Sequence, residues 1–128
     1  MLFLDSSYLI ALILENDNYN DKAIELNKII SNETTIINNT VLTEVLNSFN
    51  KYNVTQIESI INDLLTLNID YLTKNDYKKA LKYYKYYNTA INFSDCTILV
   101  TMNKYKTNQV ISFDSDFNKI KRIINISF

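Results

Sequence analysis

Apolar residues occur in two different patterns along this chain, and the changes from one pattern to the other mark the predicted strands and helices. Short apolar runs predict strands, whereas apolar stripes that recur every three or four residues predict amphipathic helices. The predicted strands lie at 2–4, 35–37, 69–72 and 109–113, and alternation from Arg122 to Phe128 predicts a fifth, edge strand. The predicted helices lie at 6–15, 19–31, 41–49, 56–67, 74–88 and 95–105.

Capping residues set these boundaries, because the chain contains no glycine and no proline. Polar side chains that accept hydrogen bonds from the first amides of a helix stand before most of the predicted helices. These predicted caps are Asp5-Ser6-Ser7, Asn38-Asn39-Thr40, Thr55, Thr73 and Ser94.

The alternation of strands and helices predicts the fold class. Strands joined through helices pair in parallel, so we predict an α/β fold, a three-layer α/β/α sandwich around a mostly parallel sheet of four to five strands. No linker or repeat interrupts the 128 residues, and we therefore expect a single domain, 1–128. Ligands of such folds bind beyond the carboxyl ends of the strands.

Acidic side chains stand where that edge of the sheet is predicted. Two follow strands and two lie in the first turns of helices; they are Asp5, Asp114, Glu44 and Asp95. Asp95 lies on the apolar stripe of its helix, so its charge points toward the sheet. Buried carboxylates are rare unless they are paired, capped or bound to a metal.

Each acid also has a simpler interpretation. Asp5 is a good N-cap, and Asp95 suits the positive end of a helix dipole. Glu44 fits an exposed helix face, and Asp114 or Asp116 fits a plain turn. Together, however, four acids at one edge would repel one another unless a cation lay between them.

Composition narrows the chemistry further. The absence of histidine excludes Ser-His-Asp catalysis and histidine-containing metal sites, and the absence of glycine excludes glycine-rich phosphate loops. A single cysteine, Cys96, excludes an internal disulfide and fits a reducing compartment. The remaining donors are oxygens, which favour Mg²⁺ or Mn²⁺ and phosphoryl chemistry.

Four motifs, taken in order, resemble the PIN-domain ribonucleases and above all the VapC-type toxins of toxin–antitoxin pairs. They are LDSSYLI at 4–10, TEVL at 43–46, FSDCTIL at 93–99 and ISFDSDF at 111–117. The resemblance implies an acidic metal pocket made of Asp5, Glu44, Asp95 and Asp114. It also implies that Ser6 and Ser112 position metal or phosphate. Family members often carry an acid just before the last aromatic residue, so the fourth acid is either Asp114 or Asp116.

The resemblance implies a function as well. It predicts a Mg²⁺- or Mn²⁺-dependent endoribonuclease that cleaves RNA, works in the cytoplasm as a homodimer and is neutralised by a cognate antitoxin. The alternative is a non-catalytic PIN-like binding module with a degenerate metal pocket. A haloacid-dehalogenase-like phosphatase is disfavoured, since it needs an acid two residues after the first Asp, where Ser7 stands.

One segment is strongly basic although the net charge of the chain is only −1. Residues 74–87 contain five lysines and one aspartate, a net charge of +4. A helical wheel predicts a core face made of Tyr77, Ala80, Leu81, Tyr84 and Tyr87, and an outward face made of Lys78, Lys79, Lys82, Lys85 and Tyr86. Such a face either binds RNA through phosphate pairing and base stacking or is simply solvated. No apolar run approaches the roughly 20 residues of a membrane span, and the opening segment is too short for a signal peptide.

Overall fold

The computed structural model describes residues 1–49, 51–121 and 123–126, and its strands form one sheet. The strands are β1 (Leu2–Leu4), β2 (Thr35–Asn38), β3 (Ile69–Asp70), β4 (Gln109–Ile111) and β5 (Ile124–Ile126). Their order is β3-β2-β1-β4-β5, and every neighbouring pair is parallel. Five parallel strands flanked by helices confirm the predicted α/β/α fold class.

The helices fill the crossovers between the strands. They are α1 (Ser6–Ile13), α2 (Asn20–Ile29), α3 (Asn39–Asn47), α4 (Val54–Leu64), α5 (Lys74–Tyr86) and α6 (Phe93–Lys104), and a 3₁₀ helix covers Ser115–Lys119. Helix α1 packs against α2 and α3, and α3 packs against α4, whereas α5 packs against α6. The chain moves outward from β1 to β3 and then crosses to β4 on the other side of β1. Because crossovers are right-handed, that reversal puts helices α1 to α4 on one face of the sheet and helices α5 and α6 on the other.

Helix α6 is the most deeply enclosed helix that the structure describes. All eight residues from 95 to 102 are buried, polar and apolar alike. A helix covered on all sides cannot keep an acid in water. The burial of Asp95 is therefore a consequence of where α6 packs.

The strand and helix ends differ from the predicted ends by a few residues. Asn53 caps α4 and Asn92 caps α6, where we predicted Thr55 and Ser94. Asparagine accepts an amide hydrogen bond as well as Ser or Thr does, so sequence alone does not choose between neighbouring caps. Strands β3 and β4 are shorter than predicted. Strand β5 lies at an edge as predicted, but Arg122, Ser127 and Phe128 fall outside the described residues.

The predicted core face of α5 is wrong at two positions. Tyr77 and Leu81 are 42 % and 44 % exposed, whereas Ala80 is buried and Tyr84 packs against the core. Tyr87 packs against the core as well, so the apolar stripe of α5 is covered at Ala80, Tyr84 and Tyr87.

A buried polar network ties α6 to the ends of β2 and β3. Asn38 caps α3, and its Nδ2 donates to Thr97 Oγ1 at 3.4 Å and to Thr101 Oγ1 at 3.2 Å. Thr101 Oγ1 in turn donates to Asp70 Oδ2 at 2.9 Å, and Lys104 Nζ pairs with the same carboxylate. These bonds fix the position of α6 over the sheet.

We expect Asn38→Ala to destabilise the protein by about 2–4 kcal/mol. It removes a helix cap, worth about 1 kcal/mol, and leaves buried hydroxyls with fewer partners, at about 1–3 kcal/mol. Asn53→Ala is the matched control, because it removes the exposed cap of α4 alone and should cost only about 1 kcal/mol. Urea unfolding of both variants measures the difference. Equal losses would show that the buried network contributes nothing.

Candidate metal site

The site lies at the point of the sheet where the strand order reverses. Asp5 directly follows β1, and Asp114 follows the adjacent strand β4. The carboxyl ends of these two strands open into the crevice between outgoing and returning halves of the sheet, which is the usual ligand position in α/β folds. The topology therefore brings together two acids that are 109 residues apart in the sequence.

Three carboxylates meet at this edge. One oxygen from each of Asp95, Asp114 and Asp116 lies within 4.8 Å of the others. Asp95 is 4 % exposed, and its Oδ2 has no hydrogen-bond partner among the residues that the structure describes. Because an unpartnered buried carboxylate oxygen is costly, a cation at this point would relieve it.

Asp95 is held by the start of α6 and does not act as its cap. The backbone N–H of Asp95 donates to Asn92 Oδ1 at 2.9 Å, so Asn92 provides the cap. The carboxylate of Asp95 is therefore not used to cap its own helix. This geometry weakens the simpler interpretation of Asp95 as a helix-start residue bound to backbone amides.

Two serine hydroxyl groups form hydrogen bonds to the carboxylate of Asp5. Ser7 Oγ and Ser112 Oγ each donate to Asp5 Oδ2 at 2.7 Å. Asp5 occupies the N-cap position of α1, yet its side chain makes no capping hydrogen bond. The Asp5 carboxylate is therefore held between the first turn of α1 and the segment after β4.

Ser112 and Ser7 also connect β1 to the segment after β4. Ser112 Oγ accepts the N–H of Asp114 at 2.9 Å, and Ser7 Oγ accepts the N–H of Phe113 at 3.0 Å. Ser112 was predicted as a positioning residue, and it links Asp5 to Asp114 directly. Sequence reasoning missed Ser7. Its spacing was available as a clue, since a serine two residues after an N-cap can turn back to that residue's side chain.

Glu44 approaches the same site from α3. It is half-buried, and burial raises the pKa of its carboxyl, with further increases from the charges of Asp5 and Asp114. A hydrogen bond from the Ser6 side chain partly offsets this shift. Ser6, predicted to position metal or phosphate, therefore contacts Glu44, one of the acids of the site.

The raised pKa values of the carboxyl groups in this site show that too little positive charge surrounds them. Burial, together with the charges of Asp5, Asp114 and Asp116, raises the pKa of Asp95 from 3.8 to about 7. Burial also raises the pKa of Asp5, and its serine hydrogen bonds offset only part of the shift. Repulsion among the acids is thus relieved by protonation in the metal-free protein.

The structure brings both candidates for the fourth acid into the cluster but gives them different partners. Asp114 Oδ1 accepts the N–H of Asp116 at 2.9 Å, which caps the 3₁₀ helix. Asp116 Oδ1 forms an ion pair with Lys119 Nζ at 2.8 Å. One Asp116 oxygen is therefore already neutralised, whereas Asp114 has no lysine partner among the described residues.

The donor set fits a divalent cation that prefers oxygen. The cluster combines a carboxylate of α6 with two carboxylates of the segment after β4, and the buried Asp95 Oδ2 is free to bind a cation. Mg²⁺ and Mn²⁺ bind such sites through one or more carboxylates and water. The arrangement is suited to phosphoryl transfer.

Comparison with known proteins gives the family and supports the fold. Residues 2–123 match the family described as the PIN domain. None of the curated proteins compared with the chain matches its sequence significantly. No helix in the described part of the chain is long and apolar enough to cross a membrane.

Solved structures of toxin proteins share the fold over almost all of their length. VapC20 of Mycobacterium tuberculosis, described as a toxin that cleaves the sarcin–ricin loop, is 16 % identical, with 100 % of both chains covered and a TM-score of 0.83. A toxin–antitoxin complex from Klebsiella pneumoniae is 18 % identical, with 97 % of this chain and 96 % of that chain covered and a TM-score of 0.75. VapBC2 of Rickettsia felis, bound to a DNA fragment from its promoter, is 16 % identical, with 98 % of both chains covered and a TM-score of 0.72. At these identities the likeness establishes the fold.

We expect the metal-free protein to lose stability as pH rises from about 4 to about 7. Between these values folded Asp95 holds a proton that the unfolded chain has released, since its pKa is 3.8 when unperturbed and about 7 when folded. The unfolded state then binds fewer protons, so the free energy of unfolding falls with pH, by at most about 4 kcal/mol for this group. Asp5 and Glu44 shift in the same direction.

Urea unfolding in EDTA across this pH range measures the slope. Asp95→Asn cannot titrate and should flatten the slope, whereas the exposed acid control Asp63→Asn should keep it. A wild-type slope in Asp95→Asn would contradict the assignment of the raised pKa to Asp95.

Proposed function

We propose that this chain, which belongs to the PIN-domain family, is a Mg²⁺- or Mn²⁺-dependent endoribonuclease and the toxin of a toxin–antitoxin pair. The observation that carries the proposal is the buried Asp95 Oδ2, unpartnered among the described residues, in a cluster with Asp114 and Asp116. VapC20 of Mycobacterium tuberculosis, with the same fold, is described as cleaving the sarcin–ricin loop. This supports RNA as the substrate class.

In this proposal Asp5, Asp95 and Asp114 hold the cation, and Glu44 holds a second ion or the attacking water. The bound cation polarises the scissile phosphate, lowers the pKa of water and stabilises the leaving oxygen. The pairing of Asp116 with Lys119 supports Asp114 as the fourth acid, because Asp116 already has a cationic partner.

Serine side chains of the site hold two of these acids in place through hydrogen bonds. Ser7 and Ser112 hold Asp5 in one orientation, so its carboxylate is placed before any ligand arrives. Ser6 steadies Glu44 through a hydrogen bond. The raised pKa of Glu44, caused first by burial, makes its carboxylate a stronger base for taking a proton from water than an exposed glutamate is.

The proposal includes an antitoxin and a second copy of the chain. The Klebsiella structure with this fold is a toxin–antitoxin complex, and the Rickettsia structure is a VapBC assembly on DNA. Exposed apolar side chains give a protein partner something to bind: Ile24 and Ile29 on α2 and Val54 at the start of α4.

We expect Asp95→Asn to reduce Mg²⁺- or Mn²⁺-dependent cleavage of RNA by at least about 100-fold. Loss of a metal ligand removes several kcal/mol of transition-state stabilisation, and each 1.36 kcal/mol is tenfold in rate. Gel assays on a mixed RNA substrate measure the rate, with Asp63→Asn as the exposed acid control. Circular dichroism checks that the variant is folded. Cleavage at the wild-type rate by both Asp95→Asn and Asp5→Asn would contradict the proposed site.

A non-catalytic PIN-like binding module is the second candidate, and metal binding separates it from the enzyme. We expect the wild type to bind Mn²⁺ in a calorimetric titration, and Asp114→Asn to weaken binding by about tenfold or more. Asp116→Asn should weaken it less, because Lys119 already occupies one of its oxygens. Absence of Mn²⁺ binding by the wild type would favour the degenerate pocket. A larger loss in Asp116→Asn would make Asp116 the fourth acid.

A further inference from the structure

A groove of about 810 Å³ runs along α5 and α6, outside the acid cluster. Its lining is basic and aromatic: Lys79, Lys82, Lys104, Lys119, Lys121 and Tyr86. We call it the lysine groove. Among the described residues, no acidic side chain lines it.

Three of these lysines, Lys79, Lys82 and Lys121, lack a carboxylate partner among the described residues. Lys104 is held by Asp70 and Asp76, and Lys119 is held by Asp116. Lys79 and Lys82, by contrast, form no ion pair within residues 1–49, 51–121 and 123–126. They stand three positions apart on α5 and so share one face of the helix. Two exposed ammonium groups at one edge of a groove favour a polyanion there.

The charge is concentrated at this place rather than spread over the protein. Residues 74–87 carry a net charge of +4 in a chain whose total is −1. A net charge of −1 gives no general electrostatic attraction to nucleic acid, so a phosphate would be attracted locally, and Lys79 and Lys82 bring part of the charge of this segment to the lysine groove. A polyanion drawn to the protein is guided to α5.

Lys119 connects the groove to the acid cluster. Its Nζ lies 2.8 Å from Asp116 Oδ1, and Asp116 is one of the three acids whose oxygens lie within 4.8 Å of one another. The same lysine lines the groove. The groove and the cluster therefore share a boundary, so one extended ligand can occupy both.

Tyr86 gives the groove a flat apolar surface. Its side chain is 78 % exposed, and its ring meets the ring of Tyr87 edge-on, with centroids 4.9 Å apart. An exposed aromatic beside lysines is the usual combination for holding an unstacked base and its phosphate. Bases of a duplex are already stacked on each other, so this surface favours a single strand.

We propose that the lysine groove holds single-stranded RNA next to the scissile bond, with phosphates on Lys79 and Lys82 and a base stacked on Tyr86. This inference rests on the proposed function, since it names the form of the substrate and the surface that carries its flanking nucleotides. The contacts involve only backbone phosphate and a base face, so they favour single strands of many sequences.

The binding test uses an uncleaved complex. In the Asp95→Asn background, a fluorescein-labelled single-stranded RNA of mixed sequence is titrated with protein and its anisotropy is measured at several salt concentrations. Lys79→Ala/Lys82→Ala should weaken binding roughly tenfold or more and reduce the slope of log affinity against log salt by about 1.4, at about 0.7 for each lost phosphate contact.

A matched control lies on the same helix. Lys74→Ala/Lys78→Ala removes the same charge from α5, but neither lysine lines the groove, so affinity and salt slope should stay close to those of the parent. Tyr86→Ala should weaken binding about fivefold or more, whereas Tyr86→Phe keeps the ring and should bind like the parent. All four positions of the paired variants are exposed, and thermal unfolding checks that the variants remain folded.

The outcomes separate this inference from the proposed function. If the two double variants bind RNA equally, the groove inference fails, even where the wild type cleaves RNA with Mg²⁺. If groove substitutions weaken RNA binding but the wild type cleaves nothing with Mg²⁺ or Mn²⁺, the groove stands and the proposed function fails. Groove-dependent binding of a labelled polyglutamate peptide, without groove-dependent RNA binding, would overturn the inference in favour of an acidic protein partner.

Discussion

The constraint on which the rest of the structure depends is the burial of carboxylates beside one another. Asp5 and Asp95 are 5 % and 4 % exposed, and Asp114 and Asp116 stand close to Asp95. Like charges in a poorly hydrated place raise each other's free energy, so the site holds together only if the surrounding structure is rigid. Two features supply that rigidity: the polar network that pins α6, and the serines that bridge β1 to the segment after β4.

Two other buried acids of this chain, Asp70 and Asp76, differ from Asp95 because a lysine side chain pairs with them. Asp70 and Asp76 are nearly as buried as Asp95, but Lys104 pairs with both. Burial pushes the pKa of Asp76 upward, yet the hydrogen bonds from Lys104 and Thr73 and the charge of Lys104 together outweigh burial, and the net shift is downward. At Asp95 the shift is upward. The contrast shows that Asp95 lacks, among the described residues, the lysine partner that Lys104 provides to Asp70 and Asp76 at the other end of α6.

Sequence patterns predicted most of the fold because they report periodicity, and they predicted the acids because isolated charges beside apolar runs are conspicuous. They were weaker where two chemically equivalent residues compete. Asn92 and Ser94 are both good caps, and only packing chooses between them. Ser7 lies two residues from Asp5, and Lys119 lies three residues from Asp116, so the spacing of both pairs stands in the sequence. The contacts of Ser7 with Ser112 and Phe113 cross the fold, and spacing does not encode them. The exposure of Tyr77 likewise depends on where α6 lies over α5.

The ion pair between Lys119 and Asp116 joins two electrostatic systems that would otherwise be independent. A phosphate that draws Lys119 toward the groove leaves Asp116 more negative, and a more negative cluster attracts a cation more strongly. Linkage makes this relation reciprocal: whatever favours the cation also favours releasing Lys119 to the phosphate. One flexible side chain can thus make the affinity for a strand and the affinity for an ion rise together, without movement of the backbone.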